Sequence, residues 1–278
     1  MERGKLPLIT KSRLVRDLKK IGVKKGQTVM LHVSVKAIGW IVGGPDMILQ
    51  ALLEILGPTG TLMMYVGWEE APPDRLEDWP KDLQQAYLNE CPPFDPATSR
   101  ARRNHSVLAE YLRTLPGTFR SNHPEASVAA IGAKACWITE NHPLNYPYGS
   151  GSPLAKLCKV KGKVLLLGAP LNTTTLLHYA ENLAKVPNKR TVHYRAPVHF
   201  DEQRVWVEVE DFDTSRGIIA NAEEYFLTIM HDYIISGKGH SGKVGAAQSY
   251  LFESDDLVRF AKQWLEKTFG GSGPQETT

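Results

Sequence analysis

The sequence predicts an α/β protein whose mixed β-sheet is covered by helices on both faces. Short, largely apolar runs at residues 28–33, 61–66 and 164–167 are typical of strands buried on both sides of a sheet. Segments whose apolar residues recur at helical spacing alternate with these runs, and residues 191–209 add an antiparallel hairpin. Helices and strands that alternate in this way pack as a sheet between helical layers.

Length and composition are those of an ordinary globular protein. The 278 residues could form one or two domains, and 42% of them are hydrophobic and 23% charged. No stretch approaches the roughly 20 apolar residues that span a bilayer, and the charged N-terminus lacks the apolar core of an export signal. We therefore expect a cytoplasmic protein, with a disordered tail at 270–278 that is rich in glycine and polar residues.

Cysteines and charge narrow the possible functions. Cys91, Cys136 and Cys158 are widely separated and form no CxxC pair, which argues against a disulfide framework and a zinc site. The net charge of +3 is spread along the chain, so nothing predicts the concentrated basic face of a nucleic-acid-binding protein. A mildly basic surface does suit an anionic cofactor such as coenzyme A.

The first elements follow in order from the N-terminus. A helix ends before Gly22, and the strand at 28–33 follows. The next loop, 34–44, contains three glycines and leads into a helix over 46–56. A strand, a glycine-containing loop and a helix can present backbone N–H groups to a phosphate or an acyl carbonyl, although any β–α connection needs such a turn.

Residues 67–95 are strongly acidic and rich in proline, so we expect a long excursion from the sheet. Eight carboxylates stand against two cations, with Trp68, Trp79 and Tyr87 among them. Such a stretch is most often a solvated loop. In an otherwise basic protein it could also bind a polycation through ion pairs and hydrogen bonds.

A helix over 104–115 and a strand over 126–131 come next. Between them His123 precedes a proline, which holds its backbone extended and its ring in a defined direction. This histidine either packs on a neighbour or binds substrate. Residues 141–153 then form a long ordered loop before the next helix.

The strand at 164–167 leads directly into the segment that carries the most chemistry. Asn172 is a good N-cap residue and Pro187 a stop, so we expect a helix between them. Helical spacing places His178 and Glu181 on its polar face. An imidazole with a carboxylate one turn away could transfer a proton beside a developing oxyanion, and the plain alternative is the solvated face of an amphipathic helix.

The C-terminal third begins with the hairpin, which ends in an acidic segment at 210–214. A helix around 222–230, a small and basic loop at 237–245, and a last helix over 254–269 follow. The loop is either a neighbour of a phosphate or a plain connector.

Five blocks spread over the chain resemble the aminoglycoside 3-N-acetyltransferases, the antibiotic N-acetyltransferase family. They are residues 31–39 (LHVSVKAIG) with Gly43 and Gly44, 93–99 (PFDPATS), 120–127 (RSNHPEAS), 166–189 (LLGAPLN running into LHYAE and VPNK) and 242–252 (GKVGAAQSYLF). Together these blocks cover nearly the whole chain, so chance is a poor explanation.

The resemblance implies the three-layer α/β/α sandwich of this family, with its mixed sheet, which is unrelated to the GNAT acetyltransferase fold. We treat residues 1–269 as a single domain on this basis. The implied activity is acetyl-CoA-dependent N-acetylation of the 3-amino group of the 2-deoxystreptamine ring of aminoglycosides, which gives antibiotic resistance. The implied partners are an aminoglycoside and coenzyme A, with no metal, in a monomer or a homodimer.

The resemblance also assigns residues to roles. The block after the first strand implies a coenzyme A site at His32, Ser34, Val35 and Lys36, although His32 could equally be a hydrogen-bonded core histidine. Either the helix start near Thr174 and Thr175 or the backbone of the loop at 34–36 offers donors to an oxyanion. His178 is the candidate general base. Its carboxylate partner is Asp211, Asp213 or Glu181, and we favour an aspartate because residues three apart on a helix can lie side by side without pointing at one another. The candidate substrate contacts are Glu69, Glu70, Asp95 and His123.

The sequence alone leaves three rival functions open. An enzyme of the same fold could acetylate a different amine, since fold does not determine substrate. A non-catalytic protein that binds sugars or polyamines could use the same acidic pocket. A zinc amidohydrolase is the third, although His178 and Glu181 alone are only part of a ligand set.

Overall fold

The structure, a computed structural model, describes residues 8–73, 76–201, 203–214, 217–219, 222 and 224–271. Most of the predicted tail, residues 272–278, lies outside the described residues. The strands are β1 (Leu8–Ile9), β2 (Thr28–Val33), β3 (Trp40–Ile41), β4 (Thr61–Tyr65), β5 (Phe119–Arg120), β6 (Val128–Gly132), β7 (Lys163–Leu167), β8 (Thr191–Phe200), β9 (Gln203–Phe212), β10 (His240–Val244) and β11 (Ala247–Glu253).

The helices alternate with the strands as predicted. They are α1 (Lys11–Lys20), α2 (Val35–Ile38), α3 (Asp46–Leu56), α4 (Lys81–Glu90), α5 (Val107–Thr114), α6 (Ala135–Thr139), α7 (Pro153–Lys159), α8 (Leu177–Leu183), α9 (Phe226–Ile235) and α10 (Ser254–Phe269). In the described part of the chain no helix is both long and apolar enough to cross a membrane.

A seven-stranded mixed sheet forms the centre of the molecule, in the order β10-β11-β7-β2-β4-β6-β5. The three central strands, β7, β2 and β4, run parallel, and antiparallel strands flank them at both edges. The predicted basic loop at 237–245 contains the edge strand β10, so that part of the prediction is wrong. Its residues lack an apolar run because an edge strand is only half covered.

Two apolar cores lie on opposite faces of the sheet. Val29 and Leu31 of β2 point into the first core, which α1, α3 and α5 cover. Met30 of the same strand points into the second core, with Leu166 of β7 and with helices α6 to α10. Because side chains alternate along a strand, these central strands are buried on both faces. The α/β/α sandwich with a mixed sheet is confirmed.

The acidic stretch leaves the sheet as predicted, but it has a small core of its own. Trp68, Cys91 and Phe94 are buried together, and α4 lies between them in sequence. The excursion contacts the hairpin of β8 and β9, since Trp206 Nε1 donates to the carbonyl of Leu88 at 3.1 Å. Residue pairing between Phe94 and Val198 adds a second contact.

Gly168 ends β7 where three elements meet. Its φ is +62°, and a Cβ atom added there would lie 2.7 Å from the Cβ of Ala37 and 2.8 Å from the Cβ of Ala247. Only glycine allows α2 and the start of β11 to approach the strand end this closely.

The helix that carries His178 begins later than predicted. Leu171–Thr173 form a 3₁₀ turn, and α8 starts at Leu177 rather than after Asn172. Hydroxyls of Thr173 and Thr174 donate back to the carbonyls of Pro170 and Leu171, which competes with helix formation.

Candidate active site

A cleft of about 750 Å³ opens at the carboxyl ends of the parallel strands β2 and β7. In open α/β sheets this is the end at which ligands bind. The lining comes from residues 31–36, 102–107, 169–170, 172–173 and 175, with Tyr65, Glu125, Tyr148, His178 and Thr214.

His178 stands in the wall of this cleft. Its ring lies between those of Tyr148 and Phe226, with both centroid distances at 4.9 Å. The side chain is 21% exposed, and Nδ1 lies 2.7 Å from Oε2 of Glu181. The imidazole is therefore held in one orientation by two rings and one carboxylate while it stays accessible from the cleft.

Glu181 is buried, with 1% exposure, although sequence spacing placed it on a polar face. Its second oxygen, Oε1, accepts a hydrogen bond from the hydroxyl of Tyr225. That hydroxyl accepts in turn from the backbone N–H of Ile218 at 3.1 Å. Both oxygens of the carboxylate are therefore bonded, as a buried charge requires.

The carboxylate hydrogen-bonded to His178 is that of Glu181 and not the aspartate that the sequence favoured. Asp213 forms an ion pair with Arg190, and Asp211 accepts from the backbone N–H of Phe212 at 2.7 Å. In this short helix the side chains at positions 178 and 181 do point at one another.

Asp211 is nevertheless a neighbour of this pair. Its pKa is raised to about 7, chiefly by burial and also by Glu181 and Glu125, while the Phe212 N–H and His178 act in the opposite direction. Its 5% exposure and the nearby carboxylates make ionisation unfavourable below neutral pH.

Tyrosines build the wall next to His178. The hydroxyls of Tyr65 and Tyr148 lie 2.8 Å apart, and the Tyr65 hydroxyl donates to the carbonyl of Glu125 at 3.2 Å. The side chain of Glu125 forms an ion pair with Arg102 at 2.8 Å. Sequence reasoning missed these residues, although Glu125 lies in one of the matched blocks.

Most of the predicted coenzyme A residues line the cleft. His32, Ser34, Val35, Lys36 and Thr175 all do so. Thr174 does not, because it is fully buried and its hydroxyl donates to the Leu171 carbonyl at 2.8 Å.

His32 is the most unusual member of this set. Burial, followed by the nearby His105, lowers its pKa to about 4, so the ring is neutral at physiological pH. Its Nε2 is buried and has no hydrogen-bond partner among the described residues.

The predicted substrate contacts lie outside the cleft lining. Glu69 accepts from the backbone N–H of Arg103 at 2.8 Å, and Glu70 forms an ion pair with Arg100. Asp95 accepts from the backbone of its own loop, at Ala97 N, with a distance of 2.8 Å. Local cations and amides thus already neutralise or satisfy these carboxylates.

His123 takes the packing role that the sequence left open. Its ring is fully buried, Nδ1 accepts from the backbone N–H of Ala126 at 2.8 Å, and Nε2 donates to the carbonyl of Leu144 at 3.0 Å. Burial lowers its pKa to about 4. The residue organises backbone and does not face the cleft.

A smaller cavity of about 440 Å³ adjoins the main cleft at His178. It shares Asn172, His178 and Thr214 with the main cleft, and its described lining carries Glu181 and Glu224 and no cation. The main cleft, in contrast, carries Lys36 beside arginines. The imidazole thus stands between a cavity that suits anions and one that suits cations. Within the described residues no group of three or more potential ligands could hold a metal ion.

Comparison with known proteins identifies the family. The family model for aminoglycoside 3-N-acetyltransferase matches residues 30–266. Aminoglycoside N(3)-acetyltransferase III of Pseudomonas aeruginosa is 52% identical over 95% of this chain and 96% of its own length.

Solved structures agree in fold. AAC-IIIb in a binary complex with CoASH superposes with a TM-score of 0.88 at 44% identity, covering 96% of this chain and all of the other. AAC-VIa bound to sisomicin has a TM-score of 0.88 at 36% identity, covering 95% and 99% of the two chains. Together with the family model, these matches show that the chain belongs to the aminoglycoside 3-N-acetyltransferase family, whose acetyl donor is acetyl-CoA.

Proposed function

We propose that this chain acetylates the 3-amino group of the 2-deoxystreptamine ring of aminoglycoside antibiotics, with His178 as general base and Glu181 as its positioning residue. The acetylated drug carries one cationic amine fewer, which confers resistance. The observation that carries the proposal is the cleft-facing imidazole of His178, held at 2.7 Å by a buried carboxylate.

The hydrogen bond to Glu181 sets the tautomer of the ring. An ionised carboxylate only accepts, so Nδ1 carries the proton and Nε2 keeps its lone pair. A base must remove a proton because a sugar ammonium is mostly protonated near neutral pH and only the neutral amine attacks a thioester. Glu181 then stabilises the imidazolium that forms, as a carboxylate does in a catalytic triad.

The main cleft supplies the acetyl-CoA side. Lys36 and the arginines at 102 and 103 can meet phosphates, and the first backbone amides of α2, at Val35 and Lys36, lack partners within that helix and can meet the oxyanion. His32, with its unbonded Nε2, adds a polar group to the same wall.

The aminoglycoside side lies among the carboxyls that surround His178. Glu224 is exposed in the smaller cavity, where Asn172 Nδ2 donates to its Oε2 at 3.0 Å. Glu125 lines the main cleft, and Asp211 lies close to both Glu125 and His178. Carboxylates near the reacting nitrogen attract a polyamine and orient its ammonium groups.

The reaction needs no covalent enzyme intermediate. The neutral amine nitrogen forms its bond to the thioester carbon while His178 takes a proton from that nitrogen. The C–S bond then breaks, and the imidazolium returns the proton to the leaving sulfur, so coenzyme A departs as its thiol. Much of the acceleration comes from holding the amine and the thioester in line in one cleft. Acetyl-CoA is an intracellular metabolite, which supports a cytoplasmic location.

The decisive test measures thiol release from acetyl-CoA with several 2-deoxystreptamine antibiotics and with simple amines, and locates the acetyl group on the product by NMR. We expect acetylation at the 3-amino group. Turnover with an unrelated amine alone would favour another acyltransferase of this fold, and binding without thiol release would favour a non-catalytic protein.

A further inference from the structure

A second groove, of about 450 Å³, lies between α1 and the edge strand β10. Its cations come from both elements. Arg13, Arg16 and Lys20 share one face of α1 at helical spacing, and Lys243 of β10 lines the same groove. None of these residues lines the catalytic cleft.

The carboxylate in the described lining is already engaged. Asp17 Oδ2 accepts from the backbone N–H of Gly245 at 3.2 Å, and the arginines at 13 and 16 lie 3.5 and 3.6 Å from its oxygens. Four cations and one carboxylate leave an excess of three positive charges around the groove.

Two of the cations have no acidic partner within the described part of the chain. Lys20 and Lys243 are exposed, and neither forms an ion pair with any residue that the structure describes. Like charges that converge from two elements repel one another, and a bound anion removes that repulsion.

The end of α1 packs closely on β10 beside this groove. A Cβ atom at Gly242 would lie 2.8 Å from Cγ2 of Ile21, so a side chain at position 242 would disturb this contact. The hydroxyl of Ser241 adds a neutral donor to the lining.

Hydrogen bonds connect this groove to the helix α2 beside the catalytic cleft. Arg13 donates to the carbonyl of Gly245 at 3.2 Å, and the N–H of the next residue, Ala246, donates to the carbonyl of Ile38 at 2.9 Å. Ile38 ends α2, whose first residues line the cleft.

We propose that this groove is an anion site that binds a phosphate or diphosphate group, with Lys20 and Lys243 as its principal charge partners. Two sources share this chemistry, a free phosphate-bearing metabolite and the nucleotide end of coenzyme A. The site is independent of the assignment of His178.

The test titrates the full-length protein with pyrophosphate at low ionic strength and follows binding by calorimetry. We expect saturable binding that weakens with added salt, and a rise in Kd of roughly tenfold in the double variant K20A/K243A, since each exposed charge contact contributes only a modest amount. The matched control is K19A, which removes the same charge from the same helix outside the groove, and its Kd is expected to change less than twofold.

Repeating the titration in the presence of saturating coenzyme A distinguishes the two possible sources of the bound phosphate. Competition, together with a rise in KM of K20A/K243A for acetyl-CoA but not for its analogue without the 3′-phosphate, identifies the cofactor. Undisturbed binding identifies a free phosphate ligand. The proposal is overturned if the wild-type protein shows no saturable pyrophosphate binding, or if K19A weakens binding as much as the double variant.

Discussion

Two groups of carboxylates in this molecule differ in what surrounds them. In the excursion at 67–95, Glu69 and Glu70 lie close to arginines on the surface. Around His178, Glu181 is bonded to an imidazole and a tyrosine, and Glu224 to an amide. The first group is paired with arginines, whereas Glu181 and Glu224 form no ion pair with a lysine or arginine among the described residues. Acidity along the sequence therefore does not locate the acidic site; the partners of each carboxylate do.

The largest expected effect comes from removing the base. H178A should lower kcat by about 10³-fold while the affinity for coenzyme A stays within about twofold, because the ring acts on the amine proton and not on cofactor binding. Steady-state kinetics and calorimetry measure the two quantities. H193A, which removes an exposed histidine from β8, is the matched control, and unchanged turnover in H178A would exclude this residue from the mechanism.

Removal of the orienting charge comes next. E181Q keeps the size of the side chain but not the carboxylate, so we expect kcat to fall by roughly 10²-fold or more with a far-ultraviolet spectrum like that of the wild type. D213N should affect kcat much less, because Asp213 is paired with Arg190. A larger loss of kcat in D213N than in E181Q would indicate that Asp213, and not Glu181, is the catalytic partner of His178.

Asp211 provides a test through pH. Its pKa is about 7 in the folded protein against an ordinary value of 3.8, so the folded state holds a proton that the unfolded chain releases. Wild-type stability relative to D211N should therefore fall as pH rises from about 4 to about 7 and then level off, by roughly 2 to 4 kcal/mol. Urea unfolding at several pH values measures this difference, and a difference that does not vary with pH would show that the carboxyl ionises normally.

A smaller effect is expected at Glu224, which lines the smaller cavity. E224Q should raise KM for polyamine substrates by roughly three- to tenfold and change kcat by less than about twofold, since the residue attracts an ammonium group but does not touch the transferred proton. E208Q neutralises an exposed carboxylate of the hairpin and serves as control. Equal losses for a mono-amine acceptor would argue against an electrostatic role.

The smallest expected effect concerns the carboxylates of the excursion at 67–95. In the double variant E69Q/E70Q we expect KM to change by less than about twofold, because both carboxylates already have arginine partners at the surface. A larger rise in KM than that of E224Q would indicate that the substrate binds to the excursion after all.

Sequence patterns predicted the elements whose signals are local. β2 and α3 have the predicted bounds, since an apolar run or an amphipathic segment between glycine and proline turns leaves few alternatives. The start of α8 was missed because threonine hydroxyls favour a 3₁₀ turn over a cap, and β10 was missed because an edge strand needs no apolar run.

The site was predicted only in part, for a physical reason. His178 and the residues after β2 follow from matched blocks. The roles of Glu181 and His123 depend on which distant atoms surround them, such as the Tyr225 hydroxyl and the Leu144 carbonyl. Sequence spacing does not specify such neighbours.

The close approach at Gly168 also limits how this enzyme can evolve. Ala37 and Ala247 lie where any side chain at position 168 would stand, so this strand end tolerates glycine alone. We expect substitutions to accumulate instead at exposed positions of the cavity walls, such as Glu224, where they leave the ends of the strands in place.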